Sequence, residues 1–381
     1  MPDWQIPLSD IDFGPEEEQA VLDVLRDGWL TMGPVTQAFE KEFAGLVGTK
    51  HAVAVSNGTT ALHLACLALG IGPGDEVILP AFTFVATAAA ILYTGAEVVF
   101  ADVSSPTDLN VAPASIEELI TPRTRALMLM HYGGYPCDMK AITALAEKHG
   151  LAVIEDAAHA IGAEYEGRAC GHWSDVACFS FFSNKNLTTG EGGMVTTDDD
   201  SKAELLRSLR SHGMTTLSWD RYQGRATSYD VTNLGYNYRI DEMRSALGRV
   251  QLSKLEQNNL KRRALTEHYW HLLEKLAPQI SLPFREHEGR SSYHIMPILL
   301  PPGQDRGAFM LAMKENGVQT SIHYPPIYHF SKYNQAYGDC AERLQVTEEV
   351  AARQVTLPLY PTLEMEAVEY IAHNAALALQ T

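Results

Sequence analysis

The 381-residue chain has no uninterrupted apolar run of about 20 residues, the length that a membrane-spanning helix needs. Its first residues, Met1 to Pro7, show no basic region followed by an apolar stretch, so no secretory signal pattern is visible. Basic residues are scarce, because 29 Lys and Arg face 47 Asp and Glu and give a formal net charge of -18. This charge argues against non-specific binding to nucleic acid or to an anionic membrane surface. It does not exclude an anionic small substrate, since a local pocket can oppose the overall sign.

Cysteine is also scarce, with five residues scattered along the chain and no CxxC pair. Without such spacing, neither a zinc site nor another metal site is expected. An odd cysteine count without a visible export signal predicts reduced thiols in a cytoplasmic protein. The composition is otherwise ordinary, with 46% apolar and 20% charged residues. Because 381 residues exceed the usual size of one hydrophobic core, we expect two domains.

Short apolar runs alternate with helical patterns between residues 50 and 200. This alternation predicts βαβ crossovers and a mostly parallel central sheet with helices on both faces, which is an α/β fold. The predicted strands are His51 to Val55, Glu76 to Pro80, Ala96 to Phe100, Ala126 to Met130, Ala152 to Ile154 and Met194 to Thr197. The predicted helices are Thr59 to Leu69, Val85 to Tyr93 and Met139 to His149.

The pattern changes in the second half of the chain. Residues Asp241 to Leu276 form a long helical pattern without proline, which is typical of a link between domains. We assign residues 1–245, with an amphipathic helix at Glu16 to Gly28, to a large α/β domain. Residues 246–381 are assigned to the linking helix and a small α+β domain. Its predicted strands are Met296 to Leu300 and Val318 to His323, and a long loop is expected at Met214 to Thr232.

Lys185 lies among small polar residues and follows an aromatic, apolar strand pattern. Lysine condenses reversibly with an aldehyde to a Schiff base, and burial lowers the pKa of its amine enough to free a nucleophile. Taken alone, a lysine in such a loop is more often an ordinary surface residue. Other segments of the chain change that interpretation.

The segment Ser56 to Thr60 follows a predicted strand and opens a predicted helix. Free backbone N–H groups at a helix N-terminus bind phosphate, and Gly58 lets the backbone approach closely. The alternative is that Ser56 or Asn57 only caps the helix.

Asp156 comes directly after the apolar run Leu151 to Ile154. A carboxylate at the end of a central parallel strand lies in the ligand crevice of such a sheet and can keep a pyridine nitrogen protonated. The alternative is that Asp156 caps the following turn. Ser180, five residues before Lys185, offers a second phosphate ligand. The three segments together indicate a cofactor that carries a phosphate, a pyridine ring and an aldehyde.

In these segments the sequence resembles the DegT/DnrJ/StrS family of nucleotide-sugar aminotransferases, which are pyridoxal-phosphate enzymes of fold type I. The resemblance covers nearly the whole chain. It is carried by Gly28 to Pro34, Ser56 to Thr60, Pro80 to Thr87, Asp156 to His159, Phe179 to Gly193, Leu234 to Glu242 and Ile322 to Pro326.

The resemblance assigns roles to single residues. It implies that Lys185 forms the Schiff base and later moves a proton, and that Asp156 pairs with the pyridine nitrogen. Phe84 would stack on the ring, and His159 would lie near the ring hydroxyl; Phe84 as an ordinary core residue is the alternative. Asn237 would reach a phosphate across the interface of a homodimer with shared active sites. The implied phosphate ligands within one subunit are Gly58, Thr59, Ser180 and, as a further candidate, Thr60.

The resemblance also implies a reaction. L-Glutamate, ahead of glutamine, would load the cofactor, and a nucleotide-linked keto sugar would receive the amino group. Relatives with histidine in place of Lys185 act as dehydratases, so the lysine favours transamination. The run Leu187 to Met194 resembles the subgroup that acts on 4-keto-6-deoxy sugars, with dTDP slightly ahead of UDP and GDP. Candidate substrate residues are Trp29, Thr31, Arg239, His323, Tyr324 and His329, and candidate diphosphate partners are Arg210, Arg221, Arg225 and Arg239.

Three alternatives stay open. A 3-keto sugar or a keto-inositol aminotransferase of the same family would share the cofactor chemistry. A non-catalytic sensor that binds pyridoxal phosphate would need a basic DNA-binding appendage, which this acidic chain lacks. A small-molecule-binding structural protein without a cofactor would be colourless. The candidate residues for the sugar could equally be packed structural groups.

Overall fold

A seven-stranded sheet forms the centre of the structure, a computed structural model that describes residues 4–216, 219, 222–224 and 227–380. The strands of this described part, in chain order, are β1 (His51–Val55), β2 (Glu76–Pro80), β3 (Glu97–Ala101), β4 (Val103–Ser105), β5 (Asp108–Val111), β6 (Thr124–Met130), β7 (Ala152–Asp156), β8 (Glu164–Tyr165), β9 (Arg168–Ala169), β10 (Val176–Ser180), β11 (Gly193–Thr197), β12 (Met296–Leu299) and β13 (Gln354–Leu357). The large sheet has the order β1-β11-β10-β7-β6-β2-β3, and the remaining strands form three two-stranded sheets.

The helices occupy both faces of the large sheet and most of the C-terminal part. In chain order they are α1 (Pro15–Asp27), α2 (Pro34–Val47), α3 (Gly58–Ala68), α4 (Val85–Tyr93), α5 (Pro113–Leu119), α6 (Met139–His149), α7 (Asp200–Arg210), α8 (Glu242–Leu276), α9 (Arg306–Glu315), α10 (Ser331–Tyr337), α11 (Gln345–Arg353) and α12 (Met365–Ala378). Short 3₁₀ turns lie at Tyr132–Gly134, Ile327–His329 and Gly338–Glu342. Among the described helices, none has both the length and the apolar character of a membrane span.

Strand directions confirm the predicted α/β fold. Within the large sheet β11 runs antiparallel to both of its neighbours, β1 and β10, and the pairs β10–β7, β7–β6, β6–β2 and β2–β3 are parallel. In the parallel register of β7 and β10, Asp156 lies beside Cys178. Since parallel strands end at the same edge, Asp156 and the residues after Ser180 meet at one side of the sheet.

Side-chain alternation on β1 shows how the two faces are covered. Val53 and Val55 pack into the apolar cluster that contains α3 residues. Ala52 and Ala54 point to the opposite face and pack with Phe39 and Phe43 of α2. Because successive side chains of a strand point to opposite faces, one strand is buried by helices on both sides. This is the reason why the strands read as continuous apolar runs.

Helix α8 is 35 residues long and begins at Glu242, after the N-cap Asp241, whose side chain accepts a hydrogen bond from the Arg244 N–H at 2.9 Å. The helix packs against α1, α2 and α12. The expected boundary between residues 245 and 246 lies inside this helix, about one turn after its start. The division of the chain into two domains stays a prediction.

One predicted strand is wrong. Residues 318–323 form no strand, and their only β-type pairs among the described residues are single bridges of Val318 to Ile6 and of Ser321 to Thr356. The pairing partner of β12 is instead β13, with Met296 opposite Leu357. An apolar run of this length is compatible with a strand, but it forms one only where a neighbour offers a matching row of hydrogen bonds.

Candidate active site

A cavity of about 400 Å³ opens at the edge of the sheet where β7 and β10 end. Its wall combines side chains from segments that are far apart in the sequence. Of the candidate residues, it brings together Gly58, Thr59, Phe84, Asp156, His159, Ser180, Lys185, His323 and Tyr324. The predicted phosphate loop, the acidic strand end and the lysine loop therefore share one cavity.

Lys185 lies in the loop between β10 and β11 and is half-buried in the cavity wall. Its backbone N–H donates to the Phe182 carbonyl at 2.9 Å, which closes a tight turn before the lysine. Burial lowers the pKa of the Lys185 amine to about 8, against the opposing attraction of the Asp156 carboxylate. About a tenth of this amine is therefore uncharged and nucleophilic at pH 7, far more than for a lysine with the ordinary pKa.

Asp156 is the last residue of β7 and is almost fully buried. Its carboxylate accepts hydrogen bonds from the Thr87 hydroxyl at 2.8 Å and from the Ala158 N–H at 3.2 Å. Burial raises the pKa of Asp156, and the Thr87 and Ala158 hydrogen bonds and the charge of Lys185 act in the opposite direction. A carboxylate has about four acceptor positions, so two of them are left for a further donor in the cavity.

The N-terminus of α3 forms the opposite wall. Asn57 caps this helix, because its side chain accepts from the Thr60 N–H at 2.9 Å while the Thr60 hydroxyl donates to the Asn57 carbonyl at 2.8 Å. Thr60 is engaged in this cap and does not line the cavity, whereas Gly58 and Thr59 do. A Cβ on Gly58 would lie 2.8 Å from the Ser180 Cβ, so only glycine allows this close approach. The result is a helix N-terminus beside a serine hydroxyl, which suits a phosphate.

His159 is buried beside the lysine loop. Its Nδ1 accepts from the Gly133 N–H at 3.3 Å, so the proton of the neutral ring lies on Nε2, which donates to the Tyr324 hydroxyl at 2.9 Å. Burial holds the pKa of His159 well below its ordinary value, and the charges of Lys185 and His323 act in the same direction. His159 is therefore a neutral hydrogen-bond donor near neutral pH.

Aromatic side chains complete the cavity. Phe84, the N-cap of α4, leaves 51% of its surface exposed, and its ring centroid lies 5.7 Å from that of Tyr324. His323 is hydrogen-bonded through Nδ1 to the Thr356 hydroxyl at 2.9 Å, and burial lowers its pKa to about 4, with Lys185 acting in the same direction. A half-exposed phenylalanine in the cavity wall offers a flat face to a planar ligand.

Other candidate residues lie outside this cavity. They are Trp29, Thr31, Asn237, Arg239 and His329. The Trp29 ring contacts Trp219 and Tyr222, with centroids 4.8 and 4.7 Å away. His329 pairs through Nε2 with Glu348 at 2.8 Å on the surface. Neither residue faces the lysine within one chain.

The segment before α8 also lies outside the cavity. Thr31 forms a bridge with Asp241, and the exposed Asn237 forms one with Ser211. Arg239 is half-buried, and burial lowers its pKa. Two of the candidate diphosphate partners, Arg221 and Arg225, lie outside the described residues.

Arg210 is not available to a diphosphate, which corrects its candidacy. Its guanidinium is 2% exposed and donates at 2.6 Å both to the Glu40 carboxylate and to the Ala54 carbonyl. Such a buried, paired arginine fastens α7 to α2 and β1. Its sequence context had no feature that separates it from a surface arginine.

Sequence reasoning missed three polar residues behind the cavity wall. Thr87 donates to Asp156, and its place in the Pro80 to Thr87 segment could have indicated it. Asn186 follows Lys185 directly, and its Oδ1 lies 2.9 Å from Nδ1 of His294. No local signal connects His294 to the lysine, because 108 residues separate it from Asn186.

In the part of the chain that the structure describes, one buried group of potential metal ligands lies near the sheet. The ligand atoms of His131, Glu155 and Cys170 come within 4.8 Å of one another. The Glu155 carboxylate is already bonded at 2.7–3.0 Å by the donors of His131, Gly171, Trp173 and Ser174. Its acceptor positions are thus used by the protein. The group joins the residue after β6, strand β7 and the loop after β9.

Residues 12–376 match the model of the DegT/DnrJ/EryC1/StrS aminotransferase family. The chain belongs to this family. It is therefore an enzyme, an aminotransferase of a family that depends on pyridoxal phosphate, as the resemblance in its motifs predicted. The match spans nearly the whole chain, so it includes every element that lines the cavity.

Individual relatives support the same assignment. The chain is 41% identical over 371 residues to the spore coat polysaccharide biosynthesis protein SpsC of Bacillus subtilis (strain 168), covering 96% of this chain and 94% of that protein. It is similar to the structure of S. venezuelae DesV in complex with a ketimine intermediate, with a TM-score of 0.88, 36% identity and coverage of 96% and 95%. It is also similar to DesI in the presence of its TDP-sugar product, with a TM-score of 0.88, 28% identity and coverage of 100% and 93%.

Proposed function

We propose that this enzyme moves an amino group from L-glutamate to a nucleotide-linked 4-keto-6-deoxy sugar, with pyridoxal 5′-phosphate as cofactor. The product would be a 4-amino-4,6-dideoxy sugar, and dTDP is the favoured nucleotide. The observation that carries the proposal is the shared cavity, in which the Lys185 amine, the Asp156 carboxylate and the N-terminus of α3 face one another.

The residues of the cavity fit this cofactor. Asp156 has acceptor capacity left for a protonated ring nitrogen. Gly58, Thr59 and the Ser180 hydroxyl would hold the phosphate, and Phe84 would cover one face of the ring. His159 would lie near the ring hydroxyl, and Lys185 would hold the aldehyde through its amine.

The chemistry is divided between the cofactor and two protein groups, Asp156 and Lys185. When bound, pyridoxal phosphate supplies an electron-withdrawing ring and an aldehyde that carries the amino group between two substrates. Asp156 would favour the protonated ring, because its carboxylate would supply a negative charge for the ring nitrogen. Lys185 removes a proton from the amino donor and delivers one to the acceptor carbon, a role that suits an amine with a pKa of about 8. The cavity shape would set the face to which this proton is delivered.

Relatives support a sugar as the acceptor. SpsC is named for polysaccharide biosynthesis, and DesI was solved with a TDP-sugar product. The run Leu187 to Met194, which resembles the subgroup acting on 4-keto sugars, lies in the lysine loop that lines the cavity. These two facts favour a nucleotide-linked 4-keto sugar over a keto-inositol.

We further propose that the enzyme is a homodimer with shared active sites. Asn237, expected to bind the cofactor phosphate, is exposed and lies outside the cavity of its own chain. Nearby, Leu234 leaves 89% of its surface exposed, which favours burial against another subunit. A subunit interface at this segment would bury Leu234 and would bring Asn237 to the cavity of the partner subunit.

The cofactor assignment is tested by absorbance and mass. The purified wild-type protein incubated with pyridoxal phosphate should absorb near the band of a lysine adduct, and borohydride reduction should fix the cofactor mass on the Lys185 peptide. Lys185→Ala should lose both signals. A colourless wild type after incubation with excess cofactor would exclude the proposal.

The substrate assignment is tested with an acceptor panel. dTDP-, UDP- and GDP-linked 4-keto and 3-keto sugars and a keto-inositol are offered with glutamate or glutamine, and products are identified by mass and NMR. The fastest turnover is expected for a dTDP-linked 4-keto sugar with glutamate. A preference for a 3-keto sugar or keto-inositol would replace the proposed substrate class, and cofactor binding without turnover of any acceptor would favour a sensor.

A further inference from the structure

Asn186, the residue after Lys185, is buried with 8% of its surface exposed and has hydrogen bonds in three directions. Its Nδ2 donates to the Asn259 Oδ1 at 2.8 Å and to the Ser292 carbonyl at 2.7 Å, and its Oδ1 lies 2.9 Å from His294 Nδ1. A buried amide with all of these bonds has one orientation, which makes it a rigid attachment point for the lysine loop.

The orientation of this amide fixes the proton on His294. The Ser292 carbonyl can only accept, so the Asn186 Nδ2 must face it, and the Asn186 Oδ1 must face His294. His294 therefore donates from Nδ1. Its backbone carbonyl accepts from the Arg262 guanidinium at 3.2 Å, which ties the segment to α8.

The same segment holds His159 from two sides. The His294 and His159 rings lie 4.3 Å apart between centroids and are tilted by 42°. The Ser292 hydroxyl donates to the His159 carbonyl at 2.5 Å. His159 in turn donates through Nε2 to Tyr324. Asn186 is thus the junction between the lysine loop and the support of the histidine in the same cavity.

We infer that Asn186 and His294 are positioning residues that fix Lys185 and His159 as one unit. The proposal goes beyond the function given above and relies on it for the role of Lys185. Neither residue is required to touch substrate. Asn186 acts by holding the lysine loop in the position that half-buries Lys185, and His294 acts by holding the Asn186 amide and the His159 ring.

A consequence is that the basicity of Lys185 depends on this pair. If the Asn186 amide is removed, the loop loosens and water reaches the amine, which weakens the burial that lowers the Lys185 pKa. The groups around Lys185, His159 and His294 that can titrate or carry charge are Asp156, His159, Glu191, Arg262, His294, His323 and Tyr324. None of these is altered by Asn186→Ala, so a shift in that variant reports the position of the loop.

The experiment measures the titration of Lys185 in the full chain without cofactor. Competitive acetylation between pH 6 and 11, followed by mass spectrometry of the Lys185 peptide, gives the pH at which the amine becomes reactive. The wild type should show an inflection near pH 8. Asn186→Ala should raise this inflection by about one pH unit, and Asn186→Asp by more, because the added carboxylate favours the charged amine.

Matched variants separate positioning from general stability. Asn374→Ala removes another buried asparagine amide, on α12, and should leave the inflection unchanged. His294→Asn places an amide N–H where His294 Nδ1 lies and should keep the wild-type inflection, whereas His294→Ala should raise it. Folding of each variant is checked by circular dichroism and thermal unfolding.

An unchanged Lys185 inflection in folded Asn186→Ala and His294→Ala would overturn the inference, even if both variants are less stable. If the Asn186 variants do not fold, the Lys185 inflections of His294→Asn and His294→Ala are compared instead, and equal values would overturn the inference. The titration needs neither cofactor nor substrate. If the Lys185 inflection rises in these variants as expected but the wild type turns over no acceptor of the panel, the proposed function is rejected and this inference stands.

Discussion

The amine of Lys185 is held in a cavity wall where burial brings its pKa to about 8. Below that pH most of the amine is protonated and cannot attack an aldehyde, and above it the free amine dominates. We therefore expect the rate of cofactor uptake by the cofactor-free enzyme to rise with pH and to level off above about pH 8. Stopped-flow absorbance at a fixed cofactor concentration between pH 6 and 10 measures this profile.

A different pH profile of cofactor uptake would contradict this prediction. An uptake rate that keeps rising toward pH 10.5, the ordinary value for lysine, would show that the cavity does not lower the basicity of Lys185. Nα-acetyl-lysine amide in the same buffers is the control, since its side-chain amine is the only amine that can react with the cofactor and its pKa is not shifted.

The charge of Asp156 is expected to act on the cofactor ring and on the Lys185 amine, and one substitution tests both effects. In Asp156→Asn the side chain keeps its size but loses the charge that would hold a protonated ring, so kcat/KM should fall by about 100-fold or more. The same variant should lower the pKa of Lys185 below about 8, because the Asp156 charge now raises it. Steady-state kinetics on the preferred acceptor and acetylation of Lys185 measure the two effects.

Thr87→Val is the matched comparison for Asp156→Asn. It removes one hydrogen bond to the carboxylate and leaves the charge, so its effect on kcat/KM should be smaller than that of Asp156→Asn. An equal loss in both variants would mean that the Thr87 contact, and not the charge, is what the reaction needs.

At the scale of elements, a buried carboxylate joins the first turns of two helices. Glu242 begins α8 and accepts hydrogen bonds from the N–H groups of Gly33, Val35 and Thr36, each at 2.8 Å, at the N-terminus of α2. N–H groups at the start of a helix have no partner within that helix, and Glu242 is only 1% exposed to solvent. Helix α2 therefore depends on a residue more than 200 positions away.

Glu242→Ala should destabilise the protein by about 2–4 kcal/mol, because it leaves several buried donors without acceptors. Glu256→Ala on the exposed face of the same helix should stay within about 0.5 kcal/mol of the wild type. Urea unfolding followed by tryptophan fluorescence compares the two. Equal losses would mean that the Glu242 bonds contribute little beyond the helix propensity of α8.

Elements with a local signal were predicted well. The periodic runs of α4 and α6 and the apolar runs of β1 and β2 have the expected bounds, because their apolar residues face a layer on each side of the sheet. The run 318–323 failed, since whether such a run becomes a strand depends on the neighbour that β12 selects. Local pattern decides the element type only where tertiary pairing does not compete.

At the scale of the whole molecule, the sequence predicts the layers but not the strand order. The order β1-β11-β10-β7-β6-β2-β3 places β1 beside β11, which follows it by more than 130 residues. The local sequence of either strand does not indicate which distant strand it pairs with. The candidate site shows the same division. The motifs around Lys185 and Asp156 indicate these two residues, whereas only long-range packing brings His294 to its place behind the cavity wall.

The proposed sharing of active sites between two subunits leads to a prediction that only the assembled molecule can test. The enzyme should elute with about twice the 42.0 kDa mass of its chain, and both Lys185→Ala and Asn237→Ala should lose activity. When these two variants are unfolded together and refolded, each mixed dimer contains one cavity with an intact lysine and an intact asparagine from the partner subunit. Activity should therefore return to about a quarter of the wild-type value if the subunits mix at random and in equal amounts, because half of the dimers are mixed and each has one intact site.

The control pair is Lys185→Ala with Asp156→Ala. Both residues line the cavity of the same chain, so no mixed dimer of these variants has an intact site, and refolding together should restore nothing. Recovery with the control pair would show exchange of whole segments between subunits. No recovery with Lys185→Ala and Asn237→Ala, despite mixed dimers detected by native mass spectrometry, would place Asn237 outside the active site of the partner and leave each cavity to its own chain.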